Sequence, residues 1–295
     1  MKVFVTGANG WIGSASVAEL VAAGHEVVGL VRSDEGAAVV AALGGTPRQG
    51  NLLDLDGLAE AAADADAVVH MAYHHDFSQM GLAAEMDGAA IGAMGDALAQ
   101  RGGALLIASG VLSLAEGRSA TEHDRASLFA HPRLPNAAAT LAMAEQGVRS
   151  VVVRFPPTVH GAGDHGFVAT LTQIARERGV VGYVGDGASR WPAVHRSDAA
   201  HLVRLAVEAA PAGSVLHAVA EEGVRSKDIA AAIGQSVGLP TASIDPSQAL
   251  AHFGWIGGFF GADVPASSEV TRQLLGWTPI GPTLIDDILA GHYAQ

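Results

Sequence analysis

An apolar run, Val3-Phe4-Val5-Thr6, passes without a spacer into Gly7-Ala8-Asn9-Gly10-Trp11-Ile12-Gly13, and a helix-forming stretch follows at once. Three glycines at this spacing, between a strand and a helix, leave few folds open. Gly7 permits a tight turn, Gly10 lets the backbone come close to a pyrophosphate, and Gly13 permits close packing of helix on strand. The helix amino terminus aims unpaired N–H groups at the phosphates, so no basic side chain is needed there. Strand, turn, helix and second strand follow in order within about 30 residues, which separates this pattern from an ordinary tight turn.

The 295 residues, 49% of them hydrophobic, suffice for a large core and for one or two domains. Over the first three-fifths, short β-type runs alternate with Ala-rich stretches, the pattern of parallel strands joined by crossover helices. Strands are expected at 2–6, 26–31, 67–72, 104–109 and 150–155, with a weaker one at 46–50. Helices are expected at 14–23, 58–63 and 82–100. After Phe155 the regularity fails at Pro156-Pro157, and a mixture follows, with helices at 198–209 and 226–237 and a strand at 214–219. The expected class is α/β: a doubly wound parallel (Rossmann) sheet in residues 1–158, and a smaller carboxyl-terminal α/β substrate lobe in 159–295, with 198–219 returning to the first domain. The glycine-hinged apolar patch at 254–260 reads either as a lid over a substrate pocket or as packing between lobes.

The formal charge of −13, with only 17 Lys and Arg residues, argues against nucleic acid as a partner. With no cysteine, the chain has no disulfide, thiolate nucleophile or cysteine-ligated metal. No run approaches the roughly 18 apolar residues of a membrane span, and the amino terminus lacks the basic-then-apolar order of an export signal. A cytoplasmic protein with a small-molecule substrate is expected.

The second strand ends Val31-Arg32-Ser33, with arginine where an acidic residue would bind a ribose 2′-hydroxyl. A guanidinium binds a 2′-phosphate bidentately and Ser33 adds a hydrogen bond, so NADP is favoured over NAD. The alternative is a surface arginine, with Asp34 or Glu35 serving NAD.

Thr6-Gly7-Ala8-Asn9-Gly10-Trp11-Ile12-Gly13 resembles the TGxxGxxG turn of the extended and atypical short-chain dehydrogenase/reductases, which include nucleotide-sugar epimerases and dihydroflavonol-reductase-like enzymes. Gly50-Asn51-Leu52 resembles their adenine-contacting segment, with Asn51 where Asp is usual. Val68-Val69-His70-Met71-Ala72 resembles the strand beside the cofactor ribose, implying contacts from Met71 and Ala72. Val153-Arg154-Phe155-Pro156-Pro157-Thr158-Val159-His160-Gly161 is similar to the LRPxxVYG segment, which places Pro156 and Pro157 near the nicotinamide carboxamide. Gly185-Asp186-Gly187 and Val194-His195-Arg196-Ser197-Asp198-Ala199-Ala200 resemble GDG…HVDDVA, the lead into the substrate lobe. The resemblance covers nearly the whole chain. It implies a nicotinamide cofactor and, through helices near 82–100 and 136–147, a homodimer.

Family members carry a Tyr-x-x-x-Lys pair on the helix before the sixth strand, and this chain does not: Asn136-Ala137-Ala138-Ala139-Thr140-Leu141 stands there. The catalytic hydroxyl after the fifth strand falls on Ser109 or, less simply, Ser113. A substitute proton donor is sought in Tyr73-His74-His75-Asp76, where Tyr73 or His74 would donate and Asp76 would orient an imidazole; a solvated loop with ribose contacts is the other reading. His160, Asp164 and His165 are second-choice groups, and His195 and Asp198 read as architectural. No metal is expected, because His70 lies within a strand, away from His74, His75 and Asp76. The leading function is an NADP-dependent oxidoreductase of a small carbonyl or alcohol. A non-catalytic NADP-binding sensor, and an epimerase or lyase using bound NADP, are the alternatives.

Overall fold

The computed structural model describes residues 1–74, 79–112, 114–125 and 132–294. Strands and helices alternate first as β1 (Lys2–Thr6), α1 (Trp11–Ala22), β2 (Glu26–Val31), α2 (Asp34–Ala42), β3 (Thr46–Gln49), α3 (Leu55–Ala63), β4 (Ala67–His70), α4 (Met80–Ala99), β5 (Ala104–Gly110), α5 (Leu134–Ala142) and β6 (Arg149–Phe155). The remainder comprises β7 (Thr158–His160), α6 (Phe167–Arg178), β8 (Val181–Val184), β9 (Arg190–His195), α7 (Arg196–Ala209), β10 (Ser214–His217), β11 (Glu221–Arg225), α8 (Ser226–Val237), β12 (Thr241–Ile244), α9 (Ala249–Phe253), α10 (Gly257–Phe260), α11 (Glu269–Leu275) and α12 (Leu284–Leu289).

Seven parallel strands run in the order β10-β6-β5-β4-β1-β2-β3. The central strands β1, β4 and β5 are apolar on both faces because helices cover both, as parallel sheets require. Alternate residues feed opposite layers. Val3, Val5, Val69, Leu106, Val151 and Val153 pack under Val17 and Leu20 of α1 and Leu202, Val203 and Ala206 of α7. Phe4, Val68, Leu105, Ile107 and Val152 pack under Leu58, Ile91, Met94 and Leu98. The strand order reverses direction at β1, between β4 and β2, and the crevice at the strands' carboxyl ends there is where such sheets bind ligands.

The early strands follow the sequence reading closely, with β1 and β2 at the expected bounds and β4 shorter, so Met71 and Ala72 lie just beyond it. Helix α2 was not among the expected helices. Its signal is local: the Ser33 hydroxyl accepts from Gly36 N at 3.2 Å, with Asp34 and Glu35 in the first turn. β10, from residues past 159, joins the large sheet beside β6.

The second half holds two small sheets, β11-β9-β7 and β12-β8. Their core includes Leu171, Trp191, Ile229, Ile233, Phe253, Phe260 and Ile288. The patch at 254–260 belongs to this core: Phe260 stacks edge-on against Trp191 at 5.3 Å and against Phe253 at 5.4 Å. Trp255 and Phe259 face outward, and no residue of the patch lines the strand-end cleft described below. Among the described residues, no helix is long and apolar enough to cross a membrane.

Candidate active site

Gly7 adopts φ +67°, and a Cβ there would lie 2.7 Å from Ala72 N and 2.9 Å from the Met71 carbonyl carbon. The turn is thus pressed against the end of β4, and only glycine has both the conformation and the size. At Gly13 a Cβ would sit 2.0 Å from the Gly7 oxygen, so helix and turn touch backbone to backbone. At Gly10 the nearest atom is the Gly7 oxygen at 3.2 Å, leaving its outer side open. α1 starts here, with no acidic residue in its first turn and no side-chain cap on Gly10.

A cleft of about 580 Å³ opens above this turn. Its lining contains Gly7, Asn9, Gly10, Trp11, Ile12, Gly13, Arg32, Asn51, Leu52, Met71, Ala72, Tyr73 and His74 from among the residues singled out in the sequence. Leu30, Leu53, Met86 and Ala108 complete it, apolar residues with no motif to announce them. Ser33, Ser109, Pro156 and Pro157 do not line it. Ser33 caps α2 beside Arg32. Ser109 is half-buried on β5 in register with Arg154, and strand alternation turns it away from Ala108. His75, Asp76 and Ser113 lie outside the described residues.

Beneath the Tyr73 end of the cleft runs a buried polar chain that local sequence could not reveal. The Thr6 hydroxyl receives Ala72 N–H at 3.2 Å and lies 2.8 Å from His70 Nδ1. His70 Nε2 stands 3.3 Å from Asp87 of α4. All three are satisfied if the Thr6 hydroxyl donates to Nδ1 and Nε2–H donates to the carboxylate. Asp87, fully buried, also receives Arg133 Nη2 at 3.1 Å, Arg133 Nε at 3.3 Å and Asn136 Nδ2 at 2.8 Å. Burial pushes the Asp87 carboxyl up, but the bond from His70 and the charge of Arg133 outweigh it and hold the group below its ordinary value. The Arg133 guanidinium lies over the Tyr73 ring, 4.1 Å from its centroid. Burial pushes the Tyr73 phenol up, and Arg133 opposes that rise.

The second half of the chain grips the glycine turn. Trp11 Nε1 donates to Val159 O at 2.7 Å, and the Arg196 guanidinium stacks on the Trp11 ring at 4.1 Å. Arg196 also donates to Trp11 O and to Ser14 Oγ, each at 2.6 Å. His165 meets Trp11 edge-on at 5.8 Å.

His160 does not face the cleft: it is fully buried, with Nδ1 2.6 Å from Asp287 of α12, and burial lowers its pKa against the pull of that carboxylate. Asp164 accepts from Gly166 N and the Tyr293 hydroxyl, and burial pushes its carboxyl up. His195 caps α7, and Asp198 receives the N–H groups of Ile280 and Gly281. His70, with both nitrogens engaged, is part of the buried chain.

Residues 3–219 match the NAD dependent epimerase/dehydratase family. The uncharacterized protein C2A9.02 of Schizosaccharomyces pombe is 47% identical over 294 residues, covering 99% of this chain and all of that one (100%). A 4-hydroxy-2-methyl-3-oxo-4-farnesyl-3,4-dihydroquinoline-1-oxide ketoreductase of Stigmatella aurantiaca is 31% identical over 229 residues, 73% of this chain and 67% of that one. The UDP-glucose 4-epimerase of Thermotoga maritima, solved with UDP-glucose, superposes with a TM-score of 0.79 over 100% of this chain and 98% of its own. At 16% identity the last likeness is one of fold. The match over residues 3–219, on a seven-stranded parallel sheet with the glycine turn at its switch point, makes the chain a member of the NAD dependent epimerase/dehydratase family.

Proposed function

We propose that the chain is an NADP-dependent oxidoreductase that reduces a small carbonyl compound or oxidises the matching alcohol, with a proton donor at the end of β4 in place of a Tyr-x-x-x-Lys pair. The observation that carries this reading is that one cleft gathers the glycine turn, Arg32, Tyr73 and His74. A dinucleotide suits it. Gly7 and Gly13 have no room for a Cβ, so the turn is shaped by backbone, and the first N–H groups of α1 are free to meet a pyrophosphate. Arg32 is exposed in the lining, with no ion pair or hydrogen bond among the described residues. Its guanidinium would hold a 2′-phosphate, and Ser33 would add the O–H it keeps while capping α2. Asn51 and Leu52 would face the adenine, and Met71 and Ala72 the ribose. A ketoreductase among the relatives supports the reaction class.

Reduced nicotinamide, when bound, supplies hydride to a carbonyl carbon. The residues of the chain have the other task, which is to deliver a proton to the carbonyl oxygen. Tyr73 and His74 stand in the lining for it. Burial favours the protonated phenol of Tyr73, the form that donates.

The test is consumption of NADPH against a panel of ketones, aldehydes and imines, with NADPH affinity measured by fluorescence on the same sample. Turnover above the no-enzyme rate is expected, and tight binding without turnover on any of them would favour the non-catalytic sensor. Arg32→Ala is expected to weaken NADPH by about tenfold to a hundredfold, the worth of a charged hydrogen-bonding partner, and to leave NADH nearly unchanged. Equal losses for the two would remove the 2′-phosphate assignment. Tyr73→Phe is expected to cut kcat by about a hundredfold or more with NADPH affinity intact. Retained kcat there, with loss in His74→Gln, would transfer the proton to His74.

A further inference from the structure

The helix that carries Tyr and Lys in other family members has neither here, yet the residue just before α5 is a cation that reaches the cleft lining from below. Arg133 precedes Leu134, the first residue of α5, and its guanidinium carbon lies over the Tyr73 ring, 4.1 Å from the ring centroid. It is not free to wander. Two of its nitrogens engage both carboxylate oxygens of Asp87, at 3.1 and 3.3 Å, in the side-on geometry that fixes an arginine most firmly. Asp87 is anchored in turn by Asn136 at 2.8 Å and by His70 at 3.3 Å. The chain then closes on the cleft, because His70 meets Thr6 and Thr6 holds Ala72 N–H, the residue next to Tyr73.

We propose that Arg133, held by Asp87, is the positioning residue that sets the orientation and ionisation of Tyr73, the part taken by lysine in a Tyr-x-x-x-Lys helix. The inference rests on the reading of the cleft as a reductase site. Its physical basis is the order of the charges: the guanidinium stands against the ring, and the carboxylate that fixes it belongs to the layer behind. A cation at that distance, on a partly buried guanidinium, favours the phenolate left when the phenol has given up its proton. Among the described residues, the charged groups acting on Tyr73 are Arg133 before α5 and Asp87 on α4, and His74 follows it in the chain. Arg133 lowers the phenol pKa and Asp87 raises it, with Arg133 the stronger of the two. Arginine suits the place better than lysine, because its planar fork both stacks on a ring and grips a carboxylate.

The chain has three tyrosines, so the ionisation of each can be followed separately. The protein is labelled with 3-fluorotyrosine, and its ¹⁹F resonances are assigned with Tyr73→Phe and Tyr183→Phe. In Arg133→Met the Tyr73 midpoint is expected to rise by about one pH unit, a tenfold change in its ionisation constant. Arg133→Lys, which keeps the charge but loses the fork, is expected to show a smaller rise. The other two resonances should not move. Should the methionine variant fail to fold, Arg133→Lys and Arg133→Gln read the same resonance. An unmoved Tyr73 midpoint in the folded variants overturns the inference, whatever the turnover. Absence of carbonyl turnover in the wild type overturns the reductase reading instead, and the ¹⁹F titration still decides whether Arg133 governs Tyr73.

Discussion

Gly13→Ala is expected to abolish dinucleotide binding and to lower the stability of the fold by about 3 kcal/mol or more, the upper range for overpacking where the neighbour cannot yield. The added methyl would stand 2.0 Å from the Gly7 carbonyl oxygen and 2.8 Å from its carbon, and both atoms are backbone. Relief requires α1 to move off the turn, but α1 is packed under the sheet through Val17 and Leu20 and gripped by Arg196. The turn therefore distorts where the phosphates would lie. Fluorescence titration should show NADPH affinity down by more than about a hundredfold, and calorimetry a melting temperature roughly 6 °C lower. Gly10→Ala separates the two effects, because a Cβ there meets only the Gly7 oxygen at 3.2 Å and should cost far less stability, while it still stands where the pyrophosphate would approach. Normal NADPH affinity in a folded Gly13→Ala protein would place the pyrophosphate elsewhere.

Acid is expected to destabilise the protein through His217, by about 3 kcal/mol between pH 6.5 and pH 4 at roughly 1.4 kcal/mol per unit of pKa difference. This imidazole is fully buried at the end of β10. Its Nδ1 faces Ser267 O at 2.8 Å and its Nε2 faces Arg154 Nη1 at 3.2 Å. The arginine donates, so Nε2 is the accepting nitrogen and the ring is neutral. Burial, with Arg154 adding to it, pushes the pKa from 6.5 down to about 4, although Glu122 pulls the other way. The unfolded chain thus takes up a proton near pH 6.5 and the folded chain only near pH 4. As pH falls through that window the unfolded state gains protons first and stability drops; above it, His217 adds no pH dependence. Urea unfolding at pH 7 and pH 4.5 should show the loss in the wild type and a smaller one in His217→Gln, the difference cancelling the carboxylates common to both. Equal losses would mean that His217 titrates normally in the fold.

What could be read in advance follows from the range of each physical constraint. The β1–α1 turn was legible because a positive φ, two absent Cβ atoms and a switch of period from strand to helix all act within a dozen residues. Helix α2 is equally local, but its signal, the Ser33 cap, coincides with the position expected to meet a phosphate. The short strands β8 and β12 of the second half were not legible, unlike β10: β12 pairs with β8, some sixty residues earlier, and neither offers more than four residues of pattern. His160 misled for a related reason. Its motif position suggested the cleft, while its actual partner, Asp287, lies 127 residues onward.

The sequence by itself determined the parallel sheet, its crossover helices and the backbone cradle at Gly7 to Gly13, because glycine conformation, side-chain period and capping are properties of neighbours along the chain. Only the tertiary structure decided which polar groups serve that cradle. Thr6, His70, Asp87 and Arg133 come from two strands, a helix and a loop, and each is explicable only by the others. A buried carboxylate is tolerated when donors surround it, and those donors are brought together by sheet register and helix packing, which no local stretch of sequence encodes.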